Sequence, residues 1–367
     1  MARLCGSGAV VLGVGVLLAA CGGEGGKTTP GQMAQSEAAG GKVALTGAGS
    51  TFDAPVFTRW FQEYAQSHPV QINYQSIGSG AGIRQFTEGT VDFGASDAPM
   101  TDEQLAKVPG AMNLPVILGS VAITYNLPGL QQPIRLTGDV LADIFLGKIK
   151  KWNDPRLAAL NPGVALPDKD ILVVHRSDGS GTSYVFTDYL STVSPAWKAG
   201  PGKGTAVAWP TGLGGKGSEG VTGQVKQTEG AIGYVEQSYA MQNQLPTASV
   251  RNRAGAFVQP TIEATTAAAA QANQQLQQHP DFRLSIVDAP GAEAYPIAAW
   301  SYLLARSHMD DCPKAKALSD AFRWSLAQGD EPAKRLGYAP LPQPVKERVT
   351  AKLQGMTCGP GNTPVSG

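Results

Sequence analysis

Charge is scarce in this 367-residue chain: Asp, Glu, Lys and Arg make up 16% of it, and 29 acidic residues balance 29 basic ones at a formal net charge of +0. No run of five like charges occurs, so nothing predicts attraction to nucleic acid. The densest basic stretch, Lys148-Ile149-Lys150-Lys151, reads as a solvated turn. Histidine is scarcer still. His68, His175, His279 and His308 are scattered, which denies a metal centre its usual ligand spacing. The chain has no Gly-x-x-x-x-Gly-Lys-Ser/Thr, the phosphate loop of nucleotide enzymes. It also has no serine with glycine at both the minus-two and plus-two positions, the turn on which many hydrolases mount a nucleophile. Ser180, in a strand-to-helix turn, is the nearest thing to such a nucleophile and has no evident histidine relay. Neither a cofactor nor a catalytic step is expected.

Long apolar runs are also missing. Ala9–Ala20 is too short to span a bilayer as a mature helix. It follows Arg3 and closes in Leu18-Ala19-Ala20-Cys21, small residues ahead of a cysteine that suit a signal peptidase. The tetrad resembles the lipobox of bacterial lipoproteins, which implies a signal peptide over residues 1–20 and lipid on Cys21. The Gly-, Thr-, Gln- and Ser-rich residues 21–41 read as a flexible tether. A periplasmic or cell-surface protein, held to a bacterial membrane by lipid, is expected. Cysteine is sparse too. Cys5 leaves with the signal, and Cys312 and Cys358 remain as a pair suited to one disulfide or as two buried thiols.

What the chain has in abundance is glycine (45) and proline (26), about a fifth of its residues, as in a loop-rich globular protein. From Val43 onward short apolar runs alternate with helical patterns. Val43–Thr46, Val70–Tyr74, Val91–Ser96, Val116–Tyr125 and Ile171–Val174 read as strands. Pro55–Ser67 reads as a helix with Val56, Trp60, Phe61 and Tyr64 on one face, and Lys314–Gln328 as another. Thr261–Gln278, rich in Ala and Gln, reads as a surface helix or a flexible insertion. The alternation predicts an α/β fold with mostly parallel sheets. The chain near Val116–Tyr125 is a place to change domain.

In such sheets ligands gather where strands end and helices begin. Gly47–Thr51, Gly78–Gly82 and Asp178–Thr182 are loops of that kind, each rich in glycine and hydroxyls. Glycine lets backbone N–H groups approach a ligand, and a helix N-terminus aims unpaired N–H donors at it. Three such loops around Arg176, whose fork matches two oxygens and which Asp178 could orient, would cage a tetrahedral oxyanion. Asp97 is the odd member. It reads either as a helix N-cap before Pro99 or as a carboxylate that accepts a ligand's proton. Phosphate near neutral pH carries such a proton and sulfate does not. An unmatched buried polar group can reject a ligand by orders of magnitude.

The stretches LTGAGSTFDAPVFTRW, YQSIGSGAGIRQFTEGTVDFGASDAPM, LGKIKKWNDPRLAALNPG, HRSDGSGTSYVFTDYL, WPTGLGGKG and GAIGYVE occur in order between Val43 and Ala240. Together they resemble the phosphate-binding proteins that feed the bacterial high-affinity phosphate ABC transporter. The match thins afterwards, returning at Ala294–Ile297 and Trp324. The resemblance implies a periplasmic-binding-protein fold of type II, two α/β lobes joined by hinge strands and closing on phosphate. It implies that Thr51, the Phe52 N–H, Ser79, Asp97, Arg176, Ser180, Gly181 and Thr182 bind the anion, with Asp97 taking its proton and Asp178 holding the arginine. His175 stands where many relatives have a second basic residue. The expected lobes are 42–118 with 296–367, and 119–295. The expected partners are inorganic phosphate and permease subunits driven by a cytoplasmic ATPase, with the protein acting as a monomer. A surface module for adhesion or signalling on the same fold is the alternative.

Overall fold

A computed structural model describes residues 42–130 and 132–365, which belong to one compact unit. The expected signal peptide, lipidation of Cys21 and tether fall outside the described residues. The main sheet contains β1 (Val43–Gly49), β2 (Val70–Ser76), β3 (Phe93–Ser96), β4 (Ala111–Tyr125), β5 (Leu172–Arg176), β6 (Leu213–Gly215), β7 (Ala231–Glu236) and β8 (Ala298–Arg306). Their order across the eight-stranded sheet is β2-β1-β3-β8-β4-β7-β5-β6.

Parallel pairing holds at the two ends and fails in the middle. β1 runs parallel to β2 and β3, and β5 runs parallel to β6 and β7. Between these sets, β8 is antiparallel to β3 and β4, and β4 is antiparallel to β7. Each parallel end carries one lobe. β4 links them: Ala111–Ser120 pairs with β8, and Val121–Tyr125 pairs with β7. A chain that crosses between lobes and later returns places oppositely directed strands side by side, a constraint invisible to local periodicity.

Apolar spacing places the elements as expected. The helix Ala54–Ala65 buries Val56, Phe57, Trp60, Phe61 and Tyr64, a face repeating every three or four residues. Phe57 and Phe61 meet Phe322 edge-on at centroid distances of 5.6 and 5.8 Å, which ties this helix to Cys312–Gln328. Each such ring buried contributes about 2 kcal/mol.

Four expectations need correction. Thr261–Gln278 is not a flexible insertion, and as a surface helix it is neither continuous nor loosely attached. It divides into Ile262–Ala270 and Asn273–Gln278, and the first helix buries Ala264, Thr265, Ala268 and Ala269 against β4 and β8. Its alanines let the backbone sit close to the sheet, where large apolar side chains would not fit, and Thr265 Oγ1 lies 2.6 Å from Ser120 Oγ. The loop expected over Gly47–Thr51 begins only after Gly49, and the one over Gly78–Gly82 is already helical from Ser79. The segment from Asp97 to Pro99 starts no helix; the next one begins at Asp102 and is capped by Thr101. The pairing expected of Cys312 and Cys358 is present as a disulfide, S–S 2.03 Å.

Candidate functional site

The parallel strands at both ends of the sheet send their carboxyl ends toward one cleft, β7 among them, with Glu236 at its end. β1, β2, β5 and β6 each lead into a helix, Ala54–Ala65, Ser79–Glu88, Gly181–Val193 and Gly217–Gln227 respectively, and β3 is followed directly by Asp97. First-turn N–H groups have no intrahelical acceptor, so these helix starts offer donors and partial positive charge.

Arg176, at the end of β5, is the buried cation of the cleft. Its Nε donates to Asp178 Oδ1 at 2.8 Å and its Nη2 to Asp178 Oδ2 at 2.5 Å, a two-point clamp that fixes the guanidinium plane. Gly217 N–H donates to the same carboxylate at 3.0 Å. Burial works against the Asp178 charge most strongly, yet the Arg176 bonds and charge and the Gly217 N–H hold its pKa below the ordinary value. The remaining nitrogen of Arg176, Nη1, reaches across the cleft to Thr51 Oγ1 at 3.0 Å and lies 3.5 Å from Thr182 Oγ1. Thr51 also meets the helix start beyond β6, its Oγ1 lying 2.8 Å from Ser218 Oγ.

Opposite, Asp97 is buried. Ser50 Oγ lies 2.8 and 2.9 Å from its two carboxylate oxygens, and Ser301 Oγ lies 2.6 Å from Oδ1. Its own N–H donates to Ser79 Oγ at 3.3 Å. Burial pushes the Asp97 pKa up to about 6, against the Ser301 and Ser50 hydrogen bonds and the Arg176 charge. Gly181 presses on this corner: a Cβ there would fall 2.4 Å from both Asp97 Oδ2 and Ser79 Oγ. Gly78 (φ +89°) is equally constrained, since a Cβ would meet Asp178 Oδ2 at 2.4 Å. The Gly80 N–H donates to the Gly179 carbonyl at 2.9 Å, so the glycine loops of the two lobes touch directly.

The structure therefore brings together Thr51, Ser79, Asp97, Arg176, Asp178, Ser180, Gly181 and Thr182. Ser180 is buried and caps its helix, with its Oγ accepting the Ser183 N–H at 3.0 Å. Phe52 is nearby, but its N–H donates to Ser50 Oγ at 3.0 Å rather than standing free. His175 faces away. It stacks on Trp209 with centroids 4.8 Å apart, its Nδ1 lies 3.0 Å from the Arg176 carbonyl, and burial lowers its pKa below the usual 6.5. Neutral histidine adds no second positive charge to the arginine.

Sequence reasoning missed Ser50, Asp53, Ser218, Glu236 and Ser301. Ser218 follows Leu213-Gly214-Gly215-Lys216-Gly217, a fourth glycine-rich strand-to-helix junction that composition could have revealed. Ser301 is the lone hydroxyl in the otherwise apolar run Ala298–Leu304 apart from Tyr302, a weaker signal. Asp53 and Glu236 are fully buried acids whose pKa values burial raises, Glu236 to about 8. Nothing local distinguishes them from exposed carboxylates. Among the described residues no group of three or more His, Cys, Asp or Glu is placed to hold a metal ion, and no helix is long and apolar enough to cross a membrane.

Comparison with known proteins gives a consistent picture. Residues 34–322 match the PBP superfamily domain. The phosphate-binding protein PstS of Pasteurella multocida (strain Pm70) is 47% identical, the alignment covering 84% of this chain and 89% of the relative. PstS of Xylella fastidiosa (strain 9a5c) is 44% identical, over 89% of this chain and 88% of the relative. Among solved structures, a phosphate-binding protein from Stenotrophomonas maltophilia superposes with a TM-score of 0.64 at 21% identity, covering 84% of this chain and 93% of that one. That last likeness concerns the fold.

Proposed function

We propose, for a chain that belongs to the PBP superfamily and within it to the family of phosphate-binding proteins, that it captures inorganic phosphate outside the cytoplasm and delivers it to an ABC-type importer. The observation that carries this reading is the pairing in one cleft of a clamped guanidinium with a buried carboxylate. Arg176 with the helix starts at Ser79, Gly181 and Gly217 supplies positive charge and donors. Asp97 supplies the acceptor that an anion bearing a proton can satisfy and sulfate cannot.

Thr51, Ser79, Asp97, Arg176, Ser180, Gly181 and Thr182 are the proposed ligands. Asp178 holds the arginine. The Phe52 N–H joins them on release from Ser50. Residues 42–118 with 296–367 form the first lobe and 119–295 the second, with β4 and the approach to β8 as crossings. Phosphate bridges the lobes and favours the closed arrangement because it binds that arrangement more tightly. Membrane permease subunits with a cytoplasmic ATPase then receive the loaded protein, a monomer tethered through lipid on Cys21. No catalytic step is part of this reading.

The test is equilibrium dialysis of the phosphate-stripped full chain with labelled phosphate, competed by excess sulfate. One-to-one binding that sulfate leaves intact is expected. Equal competition by sulfate would keep an oxyanion receptor but remove the proton-reading role of Asp97. Folded protein that binds neither anion would leave the adhesion or signalling module as the better account.

A further inference from the structure

Behind the pocket face of Asp97 lies a second aspartate that the anion does not need. Ser301 Oγ sits 2.6 Å from Asp97 Oδ1 and 2.7 Å from Asp53 Oδ2. A serine hydroxyl has one proton to donate. If both carboxylates were ionised, one of these short contacts would be an oxygen facing an anion with no proton between them. The arrangement is satisfied only if one aspartate carries a proton and donates it to Ser301, while Ser301 donates to the other.

The surroundings decide which. Asp97 is served by Ser50, which can donate to either of its oxygens, and by the Arg176 charge. Among the described residues, the fully buried Asp53 has no side-chain hydrogen-bond partner besides Ser301, and its Oδ1 has none. Although it immediately precedes the helix Ala54–Ala65, its side chain makes no capping bond to that helix. A buried anion with one oxygen unpaired is costly, whereas a neutral carboxyl is tolerated. Asp53 is faced by acids and phenols from several elements: Asp97 after β3, Glu236 at the end of β7, Tyr74 on β2, and Tyr338. Tyr239, beyond β7, and Arg176, on β5, complete the set around Glu236 and Asp97. Burial, then the Asp97 charge, raise the Asp53 pKa well above its ordinary value. The aim of Ser301 has a local cause as well. The register between β8 and β4 shifts between Ser301 and Tyr302, an irregularity of the kind that re-aims a side chain beside a site.

We propose that Asp53 holds a proton at neutral pH and donates it to Ser301, which donates in turn to Asp97, so that Asp97 stays ionised and can only accept from the ligand. Asp53 and Ser301 are positioning residues for specificity. They keep the carboxylate that distinguishes a protonated oxyanion from an unprotonated one in its accepting form. A protonated Asp97 could donate to sulfate, and the distinction would fade. The inference rests on the phosphate reading above for its functional consequence, though the location of the proton does not.

The experiment compares wild type, Ser301→Ala and Asp53→Asn in the full chain, by dialysis of phosphate against sulfate across pH and by infrared difference spectroscopy. Ser301→Ala removes a hydrogen bond to a charged acceptor, so the preference for phosphate should fall about tenfold at neutral pH. Because that bond lowers the Asp97 pKa, its loss should also move the acid limb of the preference to higher pH, by about one unit. Asp53→Asn keeps a neutral donor toward Ser301, and its preference and pH profile should match wild type within about twofold. Its spectrum near neutral pH should lack one protonated-carboxyl band present in wild type.

An unchanged pH profile in folded Ser301→Ala would overturn the relay. So would an Asp53→Asn profile displaced like that expected for Ser301→Ala, or a spectrum with no band lost. If Ser301→Ala does not fold, Asp53→Asn alone decides. Wild type that fails to bind phosphate defeats the proposed function, while the infrared comparison still judges where the proton sits.

Discussion

Asp97 shows how a single residue changes meaning with its surroundings. Beside Pro99 it could have opened a helix, but no helix begins there, and its carboxylate instead lies between Ser50 and Ser301 on the side of the cleft opposite the Asp178-clamped Arg176. Asp97→Asn replaces an acceptor with an amide that both donates and accepts. Dialysis should show phosphate losing about one to two orders of magnitude of its advantage over sulfate, the worth of one hydrogen bond to a charged group. Equal weakening of both anions would remove the proton-acceptor role. Arg176→Ala should weaken phosphate and sulfate alike, by at least about tenfold, and an unchanged affinity would place the guanidinium outside the binding set. With its pKa near 6, Asp97 should also lose discrimination in wild type as the pH falls through about 6, because the protonated form can donate. Arg176 and Asp178 were legible because the arginine, carboxylate and glycines lie within a few residues of one another. Asp53 and Ser301 were not, since they meet across 248 residues of sequence.

At the scale of elements, the site is a set of helix starts aimed inward. Gly181 opens one of them, and its missing side chain lets that helix approach Ser79 and Asp97 from the other lobe. Gly181→Ala should leave the helix intact, alanine being the better helix former, yet force the lobes apart where a Cβ would fall 2.4 Å from two oxygens. Phosphate affinity should drop by at least about tenfold with the circular dichroism unchanged, as in other losses of closely set polar contacts. Wild-type affinity in this variant would mean that the bound form is less tightly closed here. The helices themselves followed from spacing where apolar residues were large, as in Ala54–Ala65. Ile262–Ala270 escaped the same reasoning because its buried face is alanine and threonine, which mark no apolar stripe.

For the whole molecule, two features set the conditions under which the lobes persist. Cys312 and Cys358, separated by 46 residues, fasten the start of the helix Cys312–Gln328 to the short strand Thr357–Cys358. Reduction should cost about 2–4 kcal/mol, read as a lower melting temperature, and should leave phosphate affinity alone because none of the proposed ligands lies in residues 308–365. A fall in affinity with the fold intact would show that the staple reaches the cleft. Glu236, fully buried with its Oε1 unpartnered among the described residues, is pushed by burial from 4.5 to about 8. The folded protein therefore keeps a proton that the unfolded chain gives up, and stability declines as pH rises from about 4.5 to about 8. Glu236→Gln should flatten that decline, gaining about 1–4 kcal/mol over wild type near pH 9 and little near pH 5 in thermal melts. Identical slopes would mean that Glu236 ionises freely in the folded state. Local chemistry along the chain was enough to indicate alternating strands and helices, glycine-rich junctions, the arginine with its carboxylate partner and the family likeness, since each depends on residues a few positions apart. The antiparallel centre of the sheet, the burial of an alanine helix, the joining of the cysteines and the hydroxyl shared by two aspartates depend on distant segments packing together. Burial and pairing of that kind arise only once the chain has closed on itself, because desolvation and hydrogen-bond geometry belong to the folded space and not to the order of residues.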